Sequence, residues 1–436
     1  MTPLALSLML LGAVPAEEAL EAFISGNPVE SAQDPVSMEF GGDFLLPESP
    51  DLAEYPILRQ FHRSAFGLPP DHPLELSEYI GSVWPELSTG TRNLWREFAG
   101  AGGLPAPEDQ VTPENLTSLL RYCSATGSEP PDVNPDNLTD LQRYYYVLAI
   151  PEDELSGFLR DPFWAVRQAV IQRNPSLAFE ILDDPSPAVR MMAAKACGRA
   201  DILLDMSSAD GPIGHMSLAG VGQIPILEDS LYRSEDPAKR ASALLAMLEL
   251  GWRIPEERAD FLLTDDYLMV RAITADALGR DFAMPRGTRD LQGVSPPEAV
   301  VLVTDAGEYT MELFNDLAPV TCKNFWHLAE TGFYDGIYFH RVIPGFVAQA
   351  GCPEGNGYGG PGYTIPAENN TAPYERGTVG MADSGMDTGG SQFFIMLDSQ
   401  RRLDCRYTAF GRILNTEGIQ DIQIGTRILE IRRANP

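Results

Sequence analysis

The sequence predicts a two-part fold, an all-α N-terminal region followed by a strand-rich domain whose short strands are best closed as a barrel. Three observations predict it. Between about residues 140 and 285 a helical pattern recurs with an arginine at a fixed place in each copy. At Ser295-Pro296-Pro297 the chain meets a joint, and from Val300 onward apolar residues alternate with period two. A chain of 436 residues has room for two or more such units, each with its own core.

Residues 1–140 read as irregular, mostly helical units, taken as degenerate repeats. The apolar run Leu4 to Leu11 has the length of a signal segment but no Lys or Arg before it. A removed leader and a packed helix both stay open there, so the compartment, cytoplasmic or exported, is not decided. LAEYPILRQFHRSAFG from Leu52 and TPENLTSLLRYCS from Thr112 carry helical patterning between Pro- and Gly-rich joints. In residues 141–285 the repeat is plain. DPFWAVRQAV at Asp161 is echoed by DPSPAVRMMAA at Asp184, and more loosely at Glu235 and Asp265. Each copy opens on an acidic residue able to cap a helix, twice with proline in the first turn, and then sets Arg167, Arg190, Arg240 or Arg271 before an Ala/Leu-rich face. Small faces let helices stack, and the array resembles HEAT-type repeats, which implies a short solenoid with a protein-binding surface.

Residues 286–297 read as a linker and 298–436 as the second domain. VLVTDAGEYTMELF alternates on both sides of a turn at Asp305-Ala306-Gly307, the pattern of a hairpin. VTCKNFWHLAETG puts Val320, Phe325, Leu328 and Ala329 on one helical face and ends at Gly332. TVGMADSG, SQFFIML and TAFGRIL supply further short strands around glycine-rich loops.

The segments from VLVTDAGEYTMELF through FHRVIPGFVAQAG, GNGYGGPGYTIPAE and GTVGMADSGMDTGGSQFFIML to LDCRYTAFGRI follow one another over about residues 299–431. In that order they resemble the cyclophilin-type peptidyl-prolyl cis/trans isomerases. The resemblance implies a closed eight-stranded β-barrel with capping helices and an active groove on its outer face. It makes Arg341 the catalytic arginine and gives Phe346, Phe394 and Leu403 the walls of a proline pocket. Gln349 and Gln392 take the polar groove positions, and Ala382 with Asp383 the strand that pairs with the substrate backbone. Val347 and Tyr407 also line the site, Val347 where methionine is frequent and Tyr407 where histidine is. Arg402 occupies the place of the tryptophan associated with cyclosporin, which implies weak affinity for that ligand. The partners implied are proline-containing peptides or flexible client segments, and no cofactor or metal is called for.

The chemistry stands without the family. Rotation about an X-Pro bond meets a barrier near 20 kcal/mol because the amide nitrogen's lone pair is delocalised. No covalent step is needed: a catalyst holds the ring and donates a hydrogen bond to the nitrogen once it turns pyramidal. A guanidinium, always charged and rigid, suits that task. His340, adjacent on a strand, faces the other way and reads as a hydrogen-bonded structural residue. The run GCPEGNGYGGPG lacks GxxxxGK[ST] and reads as a flexible loop bordering the groove. DTGGSQ has no second DTG or DSG context to form a carboxylate pair. Five scattered cysteines without a CxxC give no zinc or disulfide framework. Net charge is -31, with 21 Lys and Arg against 45 Asp and Glu up to residue 296 and 10 against 17 beyond it. That excess disfavours nucleic acid and anionic membranes as partners, and no stretch beyond the N-terminal run approaches a membrane span. The alternative to an enzyme is a non-catalytic proline-peptide binding module on the same helical scaffold.

Overall fold

The computed structural model describes residues 77–434 apart from 78–79, 82–83, 88, 103, 105, 108–109 and 283–288. The N-terminal apolar run and the LAEYPILRQFHRSAFG segment lie outside the described residues. The helical part runs α1 (Thr89–Gly102), α2 (Leu116–Thr126), α3 (Asp140–Ala149), α4 (Trp164–Arg173), α5 (Pro187–Ala196), α6 (Ala200–Met206), α7 (Gly211–Gly220), α8 (Ile224–Arg233), α9 (Pro237–Glu249), α10 (Glu256–Leu263) and α11 (Leu268–Ala277). Helices α6 to α8 occupy the long interval between the second and third sequence echoes. No described helix is long and apolar enough to cross a membrane.

The four echoes share one local geometry. In each, the arginine Nη1 turns back and donates to the carbonyls six and five positions earlier: Arg167 to Asp161 and Pro162, Arg190 to Asp184 and Pro185, Arg240 to Ser234 and Glu235, Arg271 to Asp265 and Asp266. These bonds fix the loop that enters the helix. The acidic residues behave differently from expectation. Only Asp236 caps its helix directly, accepting from Ala238 and Lys239. Asp161, Asp184 and Asp265 instead accept the backbone N–H two residues on, at 2.8 Å each, forming the turn before the cap. Their carboxylates are also taken by an arginine from an earlier helix: Arg143 of α3 for Asp161, Arg167 of α4 for Asp184, Arg240 of α9 for Asp265. The Arg167 to Asp184 pair is bidentate at 2.6 and 2.8 Å, with side chains 7% and 1% exposed. Burial excludes competing water, so each aspartate ties the start of its helix to an earlier helix through one rigid fork.

The second part contains β1 (Ala299–Thr304), β2 (Gly307–Leu313), α12 (Pro319–Glu330), β3 (Arg341–Ile343), β4 (Val347–Ala350), β5 (Thr378–Met381), β6 (Phe393–Met396), β7 (Ala409–Ile413) and β8 (Ile428–Arg433). All pairings are antiparallel, in the order β3-β4-β6-β5-β7-β2-β1-β8. The expected closed barrel is corrected: the sheet is an open half-barrel whose edges are β3 and β8. β3 has three residues, all committed to β4, and the chain ahead of it meets the other edge outside any ladder, through the isolated Tyr338–Arg427 bridge and backbone hydrogen bonds such as Phe339 N–H to the Thr426 carbonyl at 2.8 Å. Register shifts at Val303/Thr304 and Val379/Gly380 add local curvature. On the concave side Phe325 of α12 anchors the core, its ring 5.1 to 5.5 Å from those of Phe410, Tyr334 and Phe393.

The two parts are joined by more than a connecting segment. One apolar cluster runs from Tyr145, Phe163 and Trp164 of the helical part into the sheet. Trp164 Nε1 donates to the Gln420 carbonyl at 3.0 Å, and Ser186 bonds Gln423. Asn356 in the glycine-rich loop donates to Tyr267 Oη at 2.9 Å, and Tyr358 packs on the cluster of α8, α9 and α11. The loop read as flexible is thus tied to the helices through Asn356 and Tyr358.

Candidate active site

Alternation along β6 separates two clusters. Phe393 and Ile395 enter the core inside the half-barrel, while Phe394 and Met396 join an outer cluster with Val347, Tyr374, Leu403 and Ala409. Phe346, Ala382 and Tyr407 pack against this outer cluster and remain partly exposed. Six of the residues expected in the site therefore share one patch: Phe346, Val347, Ala382, Phe394, Leu403 and Tyr407. Phe394 forms its floor, stacked on buried Tyr374 at 5.7 Å and met edge-on by Tyr407 at 5.7 Å. Gly380 lies opposite Phe394 in the ladder, and a Cβ there would sit 2.4 Å from Phe394 Cζ and 2.6 Å from Tyr374 Oη. The ring can occupy the strand surface only because that position has no side chain.

A polar row adjoins the patch. The register sets Arg341 opposite Gln349, and Gln349 opposite Phe394. Arg341 Nη1 donates to Gln349 Oε1 at 3.3 Å, and Gln349 Nε2 donates to Gln392 Oε1 at 3.0 Å. Gln392 Nε2 then donates to the carbonyls of Gly357 and Gly359 at 2.7 and 2.9 Å, tying the glycine-rich loop to the row. The Arg341 guanidinium lies 5.8 Å from the Phe346 ring centroid and Arg402 lies 5.1 Å from the same ring. Neither arginine has a carboxylate within ion-pair distance among the described residues. Burial pulls the pKa of Arg341 below its ordinary value, which leaves the guanidinium charged all the same.

Two expectations change here. His340 is 8% exposed, and its ring nitrogens make no well-formed side-chain hydrogen bond among the described residues, the Tyr338 backbone offering a weak polar contact. Burial, helped by Arg341 beside it, pushes its pKa down to about 4, and the ring is neutral at pH 7. Ala382 and Asp383 lie just past the end of β5 rather than in a strand, and the Ala382 N–H is already given to the Gln392 carbonyl at 2.9 Å. Asp383 is half-buried, accepts from Gly385 N–H at 3.1 Å, and has its carboxyl raised to about 6 by desolvation.

Sequence reasoning missed the supports of this site. Tyr374 beneath Phe394 has no local signature, whereas glycine inside the strand motif TVGM was a readable sign of close approach. The other supports come from the helical part. The single hydroxyl proton of Tyr145 is shared between Asp398 Oδ2 at 2.7 Å and the Gly345 carbonyl at 3.1 Å. Arg121 donates to Asp398 Oδ2 and the Ser399 carbonyl at 3.1 and 2.7 Å. Among the described residues no cluster of His, Cys, Asp and Glu is arranged to hold a metal.

The sequence profile of the cyclophilin-type peptidyl-prolyl cis-trans isomerases matches residues 299–427. A peptidyl-prolyl cis-trans isomerase of Synechococcus elongatus is 47% identical over 135 residues, covering 30% of this chain and 93% of the relative. Peptidyl-prolyl cis-trans isomerase B of Bacillus subtilis is 50% identical over 121 residues, or 27% of this chain and 83% of the relative. The crystal structure of a Cryptosporidium parvum cyclophilin-type isomerase matches at 31% identity with a TM-score of 0.31, covering 32% of this chain and 99% of that one. With the strand order, the outer aromatic patch and the arginine at its rim in view, the profile match and the two sequence relatives show that the chain, through its C-terminal part, belongs to the cyclophilin-type peptidyl-prolyl cis-trans isomerase family of enzymes.

Proposed function

We propose that the outer groove isomerises X-Pro bonds of peptides and of unfolded or flexible protein segments, with Arg341 as the catalytic residue. The observation that carries this reading is a guanidinium at the rim of an aromatic patch whose side-chain hydrogen-bond partner among the described residues is the neutral Gln349. Donors not locked in an ion pair are available to a substrate. The proline ring would rest on Phe394, between Phe346 and Leu403, while Val347 packs below and Tyr407 closes the edge. As the amide twists, its nitrogen becomes pyramidal and basic, and Arg341 donates to it. A bond made chiefly in the twisted state lowers the barrier instead of merely tightening binding. Gln349 and Gln392 orient the guanidinium and the peptide backbone beside it, and the backbone at Asp383 pairs with the substrate strand-fashion. The full chain added to a proline peptide should shorten the uncatalysed relaxation of tens of seconds; groove binding without acceleration would leave only a binding module.

We read the helical part as a HEAT-like repeat array over residues 141–285, joined through 286–297 to an isomerase domain over 298–436. The arginine geometry recurring in four copies supports the repeat. Its faces turned away from the sheet would hold client segments and so assist folding. The efficiency of the full chain on a proline-limited unfolded protein should then exceed that on a tetrapeptide, and a proline-free unfolded competitor should remove the surplus. A surplus that survives the competitor would argue against client binding by the helices.

A further inference from the structure

Two loops carry the walls assigned to the proline pocket. One is the β3–β4 turn, where Gly345 precedes Phe346. The other runs from Asp398 to Leu403 and brings Leu403 into the patch. Neither is held by the sheet alone: side chains from three helices 200 or more residues away in sequence converge on them. Tyr145 of α3 is 5% exposed and Asp398 is 9% exposed, and the tyrosine hydroxyl bridges the Asp398 carboxylate and the Gly345 carbonyl, one contact to each loop. The fit is close. Gly345 is at φ 67°, and a Cβ there would lie 2.5 Å from Tyr145 Oη. Arg121 of α2 pairs with Asp398 at 3.1 Å and with Glu97 of α1 at 3.1 Å, and Glu97 in turn accepts the Arg401 backbone N–H at 2.5 Å. The side chains of Arg121, Glu97 and Asp398 are 16%, 9% and 13% exposed. In such low-dielectric surroundings each member needs its partners, since an orphaned buried charge is expensive. Burial alone would lower the arginine's pKa, yet Asp398 and Glu97 raise it, so Arg121 stays charged.

We infer that Tyr145 and Arg121 are positioning residues of the isomerase, setting the spacing between Phe346 and Leu403, so that the helical part belongs to the proline pocket and is not only appended to it. The inference rests on the pocket reading above. Arg341 stands on β3 with its own partner Gln349 and is not touched by this network. The walls hold the ring in ground and transition states alike, so disturbing them should weaken binding while sparing turnover.

The test uses the full chain and its Tyr145→Phe, Arg121→Gln and Arg121→Lys variants. Trp164→Phe, which removes an inter-part hydrogen bond far from the pocket, serves as the reference for general loosening. Turnover of an Ala-Pro peptide, its Kd by titration and the melting temperature are measured for each. Tyr145→Phe and Arg121→Gln should raise KM and Kd about fivefold or more with kcat within about twofold, and Arg121→Lys should recover part of the loss. Trp164→Phe should leave KM and Kd near those of the parent. Unchanged KM and Kd in the first two variants, or changes that Trp164→Phe reproduces, would overturn the inference while the pocket reading stands. A parent chain that neither binds nor turns over the peptide would overturn both.

Discussion

Gly380→Ala is a one-methyl test of how the pocket floor is built. The added Cβ would meet Phe394 Cζ at 2.4 Å, Phe394 Cε2 at 2.9 Å and Tyr374 Oη at 2.6 Å. Ordinary contact begins near 3.4 Å, so the Phe394 ring must move by about 1 Å. It cannot sink, because Tyr374 behind it is fully buried and stacked on it with an interplanar angle of 23°. The open direction is outward, into the space assigned to the proline ring. Overpacking of this kind costs about 1–3 kcal/mol of stability, and a 1 Å displacement in a site can cost up to about a hundredfold in rate. Denaturant unfolding and peptide turnover of the purified variant read the two effects separately. We expect stability to fall by about 1–3 kcal/mol and kcat/KM by about tenfold or more, mostly through KM. Stability and kcat/KM both within error of the parent would refute the argument that Phe394 lies on a bare strand surface as the floor.

Two further outcomes follow from the charges around the patch. Desolvation holds the Asp383 carboxyl up at about 6 against 3.8 for the ordinary group. The folded chain then binds more protons than the unfolded chain between these values, so this group's contribution to stability falls as pH rises from about 4 to 6. Asp383→Asn should therefore raise the melting temperature at pH 7 to 8 and make little difference at or below pH 4; an equal effect at both would argue against a desolvated carboxyl. Arg402 sits 5.1 Å over the Phe346 ring without a carboxylate partner among the described residues. Peptides with Glu next to the proline should accordingly be turned over a few-fold faster than their Lys counterparts at low salt, the gap closing toward 1 M salt and in Arg402→Gln. A preference that persists at high salt would point to shape, not charge.

The local parts of the account were legible in the sequence because they depend on neighbours in the chain. Alternation around Asp305-Ala306-Gly307 corresponds to β1 and β2, and the apolar face ending at Gly332 corresponds to α12. TVGM, QFFIM and AFGRI contain β5, β6 and β7. The recurring arginines were readable too, since each binds carbonyls only five and six residues back. The aspartates were misjudged as caps because their second partner, an arginine 17 to 25 residues away, takes them out of the cap position. Openness of the sheet was hidden for a similar reason: whether β3 and β8 pair depends on how far strand geometry extends at two ends remote in sequence. The least legible feature is the contact of Tyr145 and Arg121 with the Asp398 loop, where the sequence separations are 253 and 277 residues. No periodicity or motif encodes such a meeting. His340 shows the limit in the other direction, since it lies just ahead of β3 rather than in a strand, and its ring faces the glycine-rich loop, which no local pattern encodes.

The central claim is that Arg341 acts on the twisted amide and not on the resting peptide. Its most direct measurement is the turnover rate of the full-length Arg341→Ala variant at saturating Ala-Pro peptide, set beside its Kd for the same peptide. The account predicts a rate about a hundredfold below the parent, equivalent to about 3 kcal/mol of transition-state stabilisation, with Kd within about threefold. A variant that turns over as fast as the parent, or one whose loss lies entirely in Kd, would contradict it.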